Sequence, residues 1–239
     1  MTALLYTLAA AAYLLALYAF WGGGTNAAGE KTDPMLVIAV TGHRNIAADD
    51  AKITALVSSE LKALKAAYPH HRAIVISSLA EGADRLVAQT AMKDLSARLV
   101  VPLPLPRENY GLDFETPQSR AEFDRMLARA DTVIDAPIVF AGEAWKTYSE
   151  ERNHQYAWIG AYAGRNADAL IAIWNGKPAQ GTGGTAHVVD WFKKGEAPGI
   201  YAVPAYASHR ATPRLPRTLV CLNPETYEIT RETIRSQTV

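Results

Sequence analysis

The residues of this 239-residue chain best placed to do chemistry are Gly181-Thr182-Gly183-Gly184-Thr185. They come shortly after the apolar run Ala169-Leu170-Ile171-Ala172-Ile173-Trp174 and just before a helix-like stretch at 186–194. A buried strand that leads through a glycine- and hydroxyl-rich loop into a helix leaves backbone N–H groups free. Those donors, the positive end of the helix dipole and the threonine hydroxyls suit a phosphate. Glycine removes the side chain that would keep the backbone from the ligand.

Two other segments repeat the pattern. Thr41-Gly42-His43-Arg44-Asn45 follows the run 35–41, and Arg44 offers a fork for bidentate bonds to phosphate. Ser77-Ser78-Leu79-Ala80-Glu81-Gly82-Ala83-Asp84 follows the run 73–77 and opens a helix. Its Glu81 and Asp84 are acceptors for ribose or base. After the strand at 169–174, Trp174 offers a stacking surface, Asn175 a polar wall and Lys177 a cation. Simpler readings stand beside these. Asn45 or Asp49 can be a plain helix cap. Glu81 and Asp84 can simply favour a helix N-terminus, or Asp84 can form a solvated pair with Arg85. Trp174 can be core packing, and His43 and His187 ordinary surface residues. The functional reading gains from coincidence, because all three polar loops follow strands expected to be neighbours.

Together the three motifs resemble the SLOG superfamily, which groups the DNA-processing protein A family with the Lonely guy phosphoribohydrolases. Ser77, Ala80, Gly82 and Asp84 match the serine-glycine-x-alanine-x-glycine-x-aspartate segment of the former, with Ser78 in place of a glycine. Gly181, Gly184 and Thr185 match the proline-glycine-glycine-x-glycine-threonine-x-x-glutamate motif of the latter. Gln180 replaces the proline, Thr182 a glycine and Val188 the glutamate. The resemblance covers roughly residues 35–205. It implies a Rossmann-like nucleotide-binding domain, and with the loop chemistry above the expected ligand lies across Thr41, Gly42, His43, Arg44, Ser77, Ser78, Glu81, Gly82, Asp84, Trp174, Asn175, Lys177 and Gly181 to Thr185. In the hydrolases that glutamate belongs to the catalytic set, and valine cannot move a proton. Binding is therefore favoured over N-glycoside hydrolysis, the alternative in which Glu81 or Asp190 would have to substitute. Members joined to a membrane segment resemble sensor modules of bacterial stress and phage defence that recognise nucleotide-derived signals. Homo-oligomerisation is a further implication of the resemblance.

Composition narrows the partners. The formal net charge is zero, which argues against a chain whose main task is gripping nucleic acid, including single-stranded DNA. The single cysteine, Cys221, excludes an intrachain disulfide and reads as a small core residue. The six histidines show no ligand spacing, so no metal or other cofactor is required beyond the ligand itself. Residues 3–21 carry no charge, end in Tyr18, Phe20 and Trp21, and are long enough to cross a bilayer as one helix. A signal peptide is the rival reading. No Lys or Arg precedes the apolar run, whereas Ala27-Ala28-Gly29 would suit cleavage. Lys31, Arg44 and Lys52 all follow the span, which favours a membrane-anchored protein with a cytoplasmic C-terminal domain.

The elements that must position these loops alternate between strand and helix. Strands are predicted at 35–41, 73–77, 98–102, 131–134, 169–174 and 200–203, with helices at 49–67, 83–94, 117–130 and 149–164. Ser149 is expected as a cap, with Arg152 on a polar face. Residues 107–110 read as a lid or a long loop, and 217–222 with 226–229 as a terminal hairpin around Asn223-Pro224-Glu225. The organisation is thus a membrane helix or signal anchor over 1–21, a linker over 22–34 and one domain over 35–239. The fold class is α/β, Rossmann-like, with a mostly parallel, doubly wound sheet.

Overall fold

A computed structural model describes residues 34–47, 50–138, 142–179, 181–201 and 215–234. The expected membrane segment at 3–21, its linker up to residue 33, Asp49 and Gln180 lie outside the described residues.

Apolar, β-branched runs form the strands. They are β1 (Met35–Gly42), β2 (Arg72–Ile76), β3 (Arg98–Leu103), β4 (Thr132–Asp135), β5 (Ala169–Ile173), β6 (Arg217–Leu222) and β7 (Ile229–Ile234). The sheet order is β4-β3-β2-β1-β5-β6-β7, parallel throughout except for the β6–β7 pair. The α/β class and the mostly parallel sheet expected from the sequence are therefore present.

Side chains alternate across β1. Leu36, Ile38 and Val40 enter one core, and Val37 and Ala39 the other. The first core is closed by α1 (Ala51–Ala67), α2 (Ala83–Leu95), α3 (Arg107–Gly111) and α4 (Pro117–Leu127). The second is closed by α5 (Glu150–Asn166) and α6 (Thr185–Lys194). A strand buried on both faces cannot alternate apolar with polar residues, which is why these runs read as continuous. From β1 the chain works outward to β4, then α5 carries it back to β5 on the other side of β1. Strand order thus reverses between β1 and β5.

Five details differ from the sequence expectation. Ile200 and Tyr201, the described part of the strand expected at 200–203, are not in a strand. Gly199–Tyr201 is a 3-10 turn whose Tyr201 N–H donates to the Pro198 carbonyl (2.8 Å), and 202–203 lie outside the described residues. The place beside β5 is taken by β6, and β7 starts only at Ile229. Arg152 is not on a solvated face: it is buried, and its guanidinium pairs with Asp113 and bonds the Trp145 carbonyl (3.0 Å). Residues 107–110 are neither lid nor loop but open α3, anchored by fully buried Tyr110 against Phe114 and Phe123. The cap of α1 is Asp50, whose side chain accepts from the N–H groups of Lys52 (3.0 Å) and Ile53 (2.9 Å).

Candidate functional site

In an open parallel sheet the natural crevice lies beyond the carboxyl ends of the strands where their order reverses. Here that point falls between β1 and β5. Both ends of the pair lead into polar loops, pinned together by two bonds: the His43 N–H donates to the Ile173 carbonyl (3.0 Å), and the Asn175 N–H to His43 Nε2 (3.3 Å). The Asn175 amide reaches on to Glu225 beyond β6 (2.9 Å).

The crevice has two compartments. The larger, of about 610 Å³, is walled by Arg44, Trp174, Asn175, Lys177 and Glu225 among others. The smaller, of about 200 Å³, lies under α5 and is walled by Thr41, Ser78, Asp84, Tyr156 and Val188 among others. Gly42, Arg44, Gly184 and Thr185 border both. The three polar loops of the sequence therefore meet in one place.

The α6 N-terminus closes that shared wall. Gly184 is its cap residue and supplies no side-chain bond, and the first turn carries no acid. The Gly183 N–H donates to His187 Nδ1 (3.2 Å) and the Gly184 N–H to the Gly181 carbonyl (3.3 Å). Thr185 and Ala186 open the helix proper, where N–H groups have no intrahelical acceptor. Arg44, about half exposed, is 3.8 Å from the Glu81 carboxylate, too far for a hydrogen bond. An anion between Thr185 and Arg44 would meet two donors' worth of backbone and one guanidinium.

The second loop is held mainly by its own polar groups. Ser77 is buried; its hydroxyl donates to the Asp84 carbonyl (3.1 Å) and accepts from the Leu79 N–H (3.1 Å). Leu79, fully buried, sits at φ 61°, a left-handed conformation costly for a side chain of this size. Gly82 has φ 73°, and a Cβ there would lie 2.5 Å from the carbonyl oxygens of both His43 and Arg44. Gly82 therefore lets the second loop stack beneath the first, and the Ala83 N–H fixes the join on the His43 carbonyl (3.1 Å). Asp84 is buried at the wall of the smaller compartment and accepts the Ser78 hydroxyl (2.9 Å). Burial pushes its carboxyl up to about 6, against the pull of Ser78, the local backbone N–H groups and Arg44. Asp84 and Arg85 therefore do not form the solvated pair considered from the sequence: Arg85 turns away to Glu122 (2.9 Å) and the Leu79 carbonyl (3.0 Å).

No protein-family model matches this chain, and no curated protein matches it.

The other sequence candidates take varied places. Glu81 accepts from the Ser119 hydroxyl, beside Arg44. Lys177 is exposed at the rim of the larger compartment, and Gly181 and Thr182 lie in the turn leading to α6. Trp174 packs partly on the second core, as its simpler reading had it, and also lines the larger compartment. Val188 is buried against Gly160 of α5. Asp190 pairs with Lys194 along the helix (2.8 Å). Cys221 is half-buried on β6. Among the described residues no group of three or more His, Cys, Asp or Glu is gathered for a metal.

Sequence reasoning missed Tyr156. Its ring lines the smaller compartment while its hydroxyl donates to Asp113, and burial with that carboxylate raises its pKa far above the ordinary phenol value. No motif marks it; its only signal is its place in the helix that must cross β1 to reach β5.

Proposed function

We propose that this protein binds a nucleotide or nucleotide-derived signal across the β1/β5 crevice, with phosphate at the shared wall. The single observation that carries the reading is the uncapped α6 N-terminus facing Arg44 at the strand-order reversal. Trp174 supplies a stacking face in the larger compartment, and Ser78 and Asp84 supply polar partners in the smaller. The resemblance to SLOG domains supports the same ligand class and a sensor role in stress or phage defence. Residues 3–21 would anchor the chain, with the domain on the cytoplasmic side and copies of it associating.

Calorimetry of the full chain in detergent, against cyclic nucleotides and ADP-ribose variants, tests this. Arg44→Ala is expected to weaken the bound member about tenfold, the equivalent of one charge-assisted bond. No binding by the folded chain to any member overturns the proposal.

A second reading, N-glycoside hydrolysis, is favoured by one observation: Asp84 is buried at the wall of the smaller compartment, where burial raises its carboxyl to about 6, so that it takes up and gives back a proton in mildly acidic solution. Against it, the first turn of α6 holds no acid, and Val188 fills the glutamate's place in the core. Release of free base, lost in Asp84→Asn, would favour hydrolysis; tight binding without turnover favours sensing.

A further inference from the structure

The larger compartment holds a carboxylate for which a phosphate has no use. Arg44 and Lys177 supply its positive charge, and Glu225 is the only acid in its lining among the described residues. A carboxylate facing an anionic ligand costs affinity unless it meets donors on another part of that ligand.

Glu225 is held in place. It sits in the turn between β6 and β7, where its N–H donates to Asn223 Oδ1 (2.9 Å), the Tyr227 N–H to the Asn223 carbonyl (2.8 Å) and the Asn223 N–H to the Glu228 carbonyl (2.9 Å). Its Oε1 accepts from the Asn175 amide (2.9 Å), and the Asn175 backbone N–H is fixed on His43 Nε2 (3.3 Å). Its Oε2 accepts from none of the described residues. The carboxylate thus keeps an open acceptor edge beside an amide. Trp174 is fixed as well: its backbone N–H donates to the Leu222 carbonyl (3.0 Å), and its side chain is hydrogen-bonded to the Cys221 thiol. Ring and carboxylate therefore follow the ends of paired strands, where Ile173 lies opposite Leu222.

We infer, resting on the nucleotide reading, that the larger compartment selects guanine over the other bases, with Glu225 accepting from the guanine N1–H and 2-amino group. With phosphate at Arg44 and the α6 N-terminus, the base reaches the Trp174 side of the compartment and stacks there. A carboxylate is matched by two donors side by side. Guanine alone among the common bases offers such a pair on one edge. Adenine and cytosine set a ring acceptor beside their amino group, and uracil flanks its one N–H with two carbonyls. Either arrangement turns a lone pair toward the carboxylate. The Asn175 amide and Lys177 are the donors available to the guanine 6-carbonyl.

The test is calorimetry of the full chain in detergent with cyclic GMP, cyclic IMP and cyclic AMP, which share one phosphate ring. Cyclic GMP is expected to bind tightest and cyclic AMP about tenfold more weakly, with cyclic IMP, which lacks only the 2-amino group, between them. Glu225→Gln keeps an oxygen for Asn175 but exchanges one acceptor for a donor. It should weaken cyclic GMP about tenfold and leave cyclic AMP no weaker. A purely structural role for Glu225 would weaken all three alike, and that result overturns the proposal. So does equal affinity of the parent for the three, or a preference for cyclic AMP. So, too, does binding of ADP-ribose variants with no cyclic nucleotide bound. Those three results remove guanine selection and leave the nucleotide reading standing, whereas a folded chain that binds no nucleotide removes both.

Discussion

Gly181 and Gly183 stand two residues apart in one loop and meet different surroundings. A Cβ on Gly183 would lie 2.6 Å from the Ala157 Cα, and its φ is 82°; a Cβ on Gly181 would meet nothing within 4 Å. In the sequence both read as room for a ligand. In the structure Gly183 is room for α5, which is what brings the α6 N-terminus to the crevice. Gly183→Ala is therefore expected to cost about 2–3 kcal/mol, from a left-handed backbone plus a clash with backbone that cannot swing aside. Gly181→Ala should stay within ~0.5 kcal/mol. Urea unfolding of the two variants checks the contrast, and equal losses would refute this role for Gly183. Asp84 gives a second residue-scale prediction. Burial raises its carboxyl from 3.8 to about 6, so between those values the folded chain holds a proton that the unfolded chain has released. Stability attributable to Asp84 must then fall as pH rises from about 4 to about 6 and level off above, by about 3 kcal/mol in all. Asp84→Asn should abolish that slope, measured as the difference between the two chains in urea across this pH range.

At the scale of elements, α5 gathers more of the site than any motif indicated. Arg152 and Tyr156 lie one turn apart and both reach Asp113, which follows α3. Arg152 also bonds the Asn109 carbonyl (3.2 Å) and the Trp145 carbonyl (3.0 Å). One buried guanidinium thus ties two segments to the helix that roofs the smaller compartment. Asp113→Ala would leave that charge buried without its carboxylate, and the expected loss is about 3–5 kcal/mol. Asp190→Asn removes an exposed helical pair and should change stability by less than ~1 kcal/mol. Denaturant unfolding of both measures the difference. The strands through β5 were legible because each is a continuous apolar run between turn residues. The misreading of Ile200 and Tyr201 has the same root: a short apolar run has no period that separates strand from turn. Tyr201 instead packs on His154 and Trp191. Arg152 was misread because a charged residue near a helix start usually faces water, and its partner lies 39 residues away in sequence.

At the scale of the molecule, the loops could be read from sequence but the order of the strands could not. Strand order depends on which runs pair through space, and only the reversal between β1 and β5 turns three polar loops into one crevice. The crevice also has a mechanical consequence. Its walls come from β1, β2, β3, α2, α5, α6 and the loops after β5 and β6, so a bound ligand bridges both halves of the sheet. A ligand that binds only this assembled arrangement must stabilise the whole fold by mass action. At a hundredfold excess over Kd that is about 2.7 kcal/mol, and for a domain of this size Tm should rise by roughly 5–10 °C. The rise should shrink in Arg44→Ala at the same ligand concentration and persist in Asp190→Asn, whose side chain pairs with Lys194 instead. A ligand that contacted only the rim at Lys177 would give a smaller rise that Arg44→Ala left unchanged. That outcome, read by scanning calorimetry of the full chain, would place the phosphate away from the α6 N-terminus.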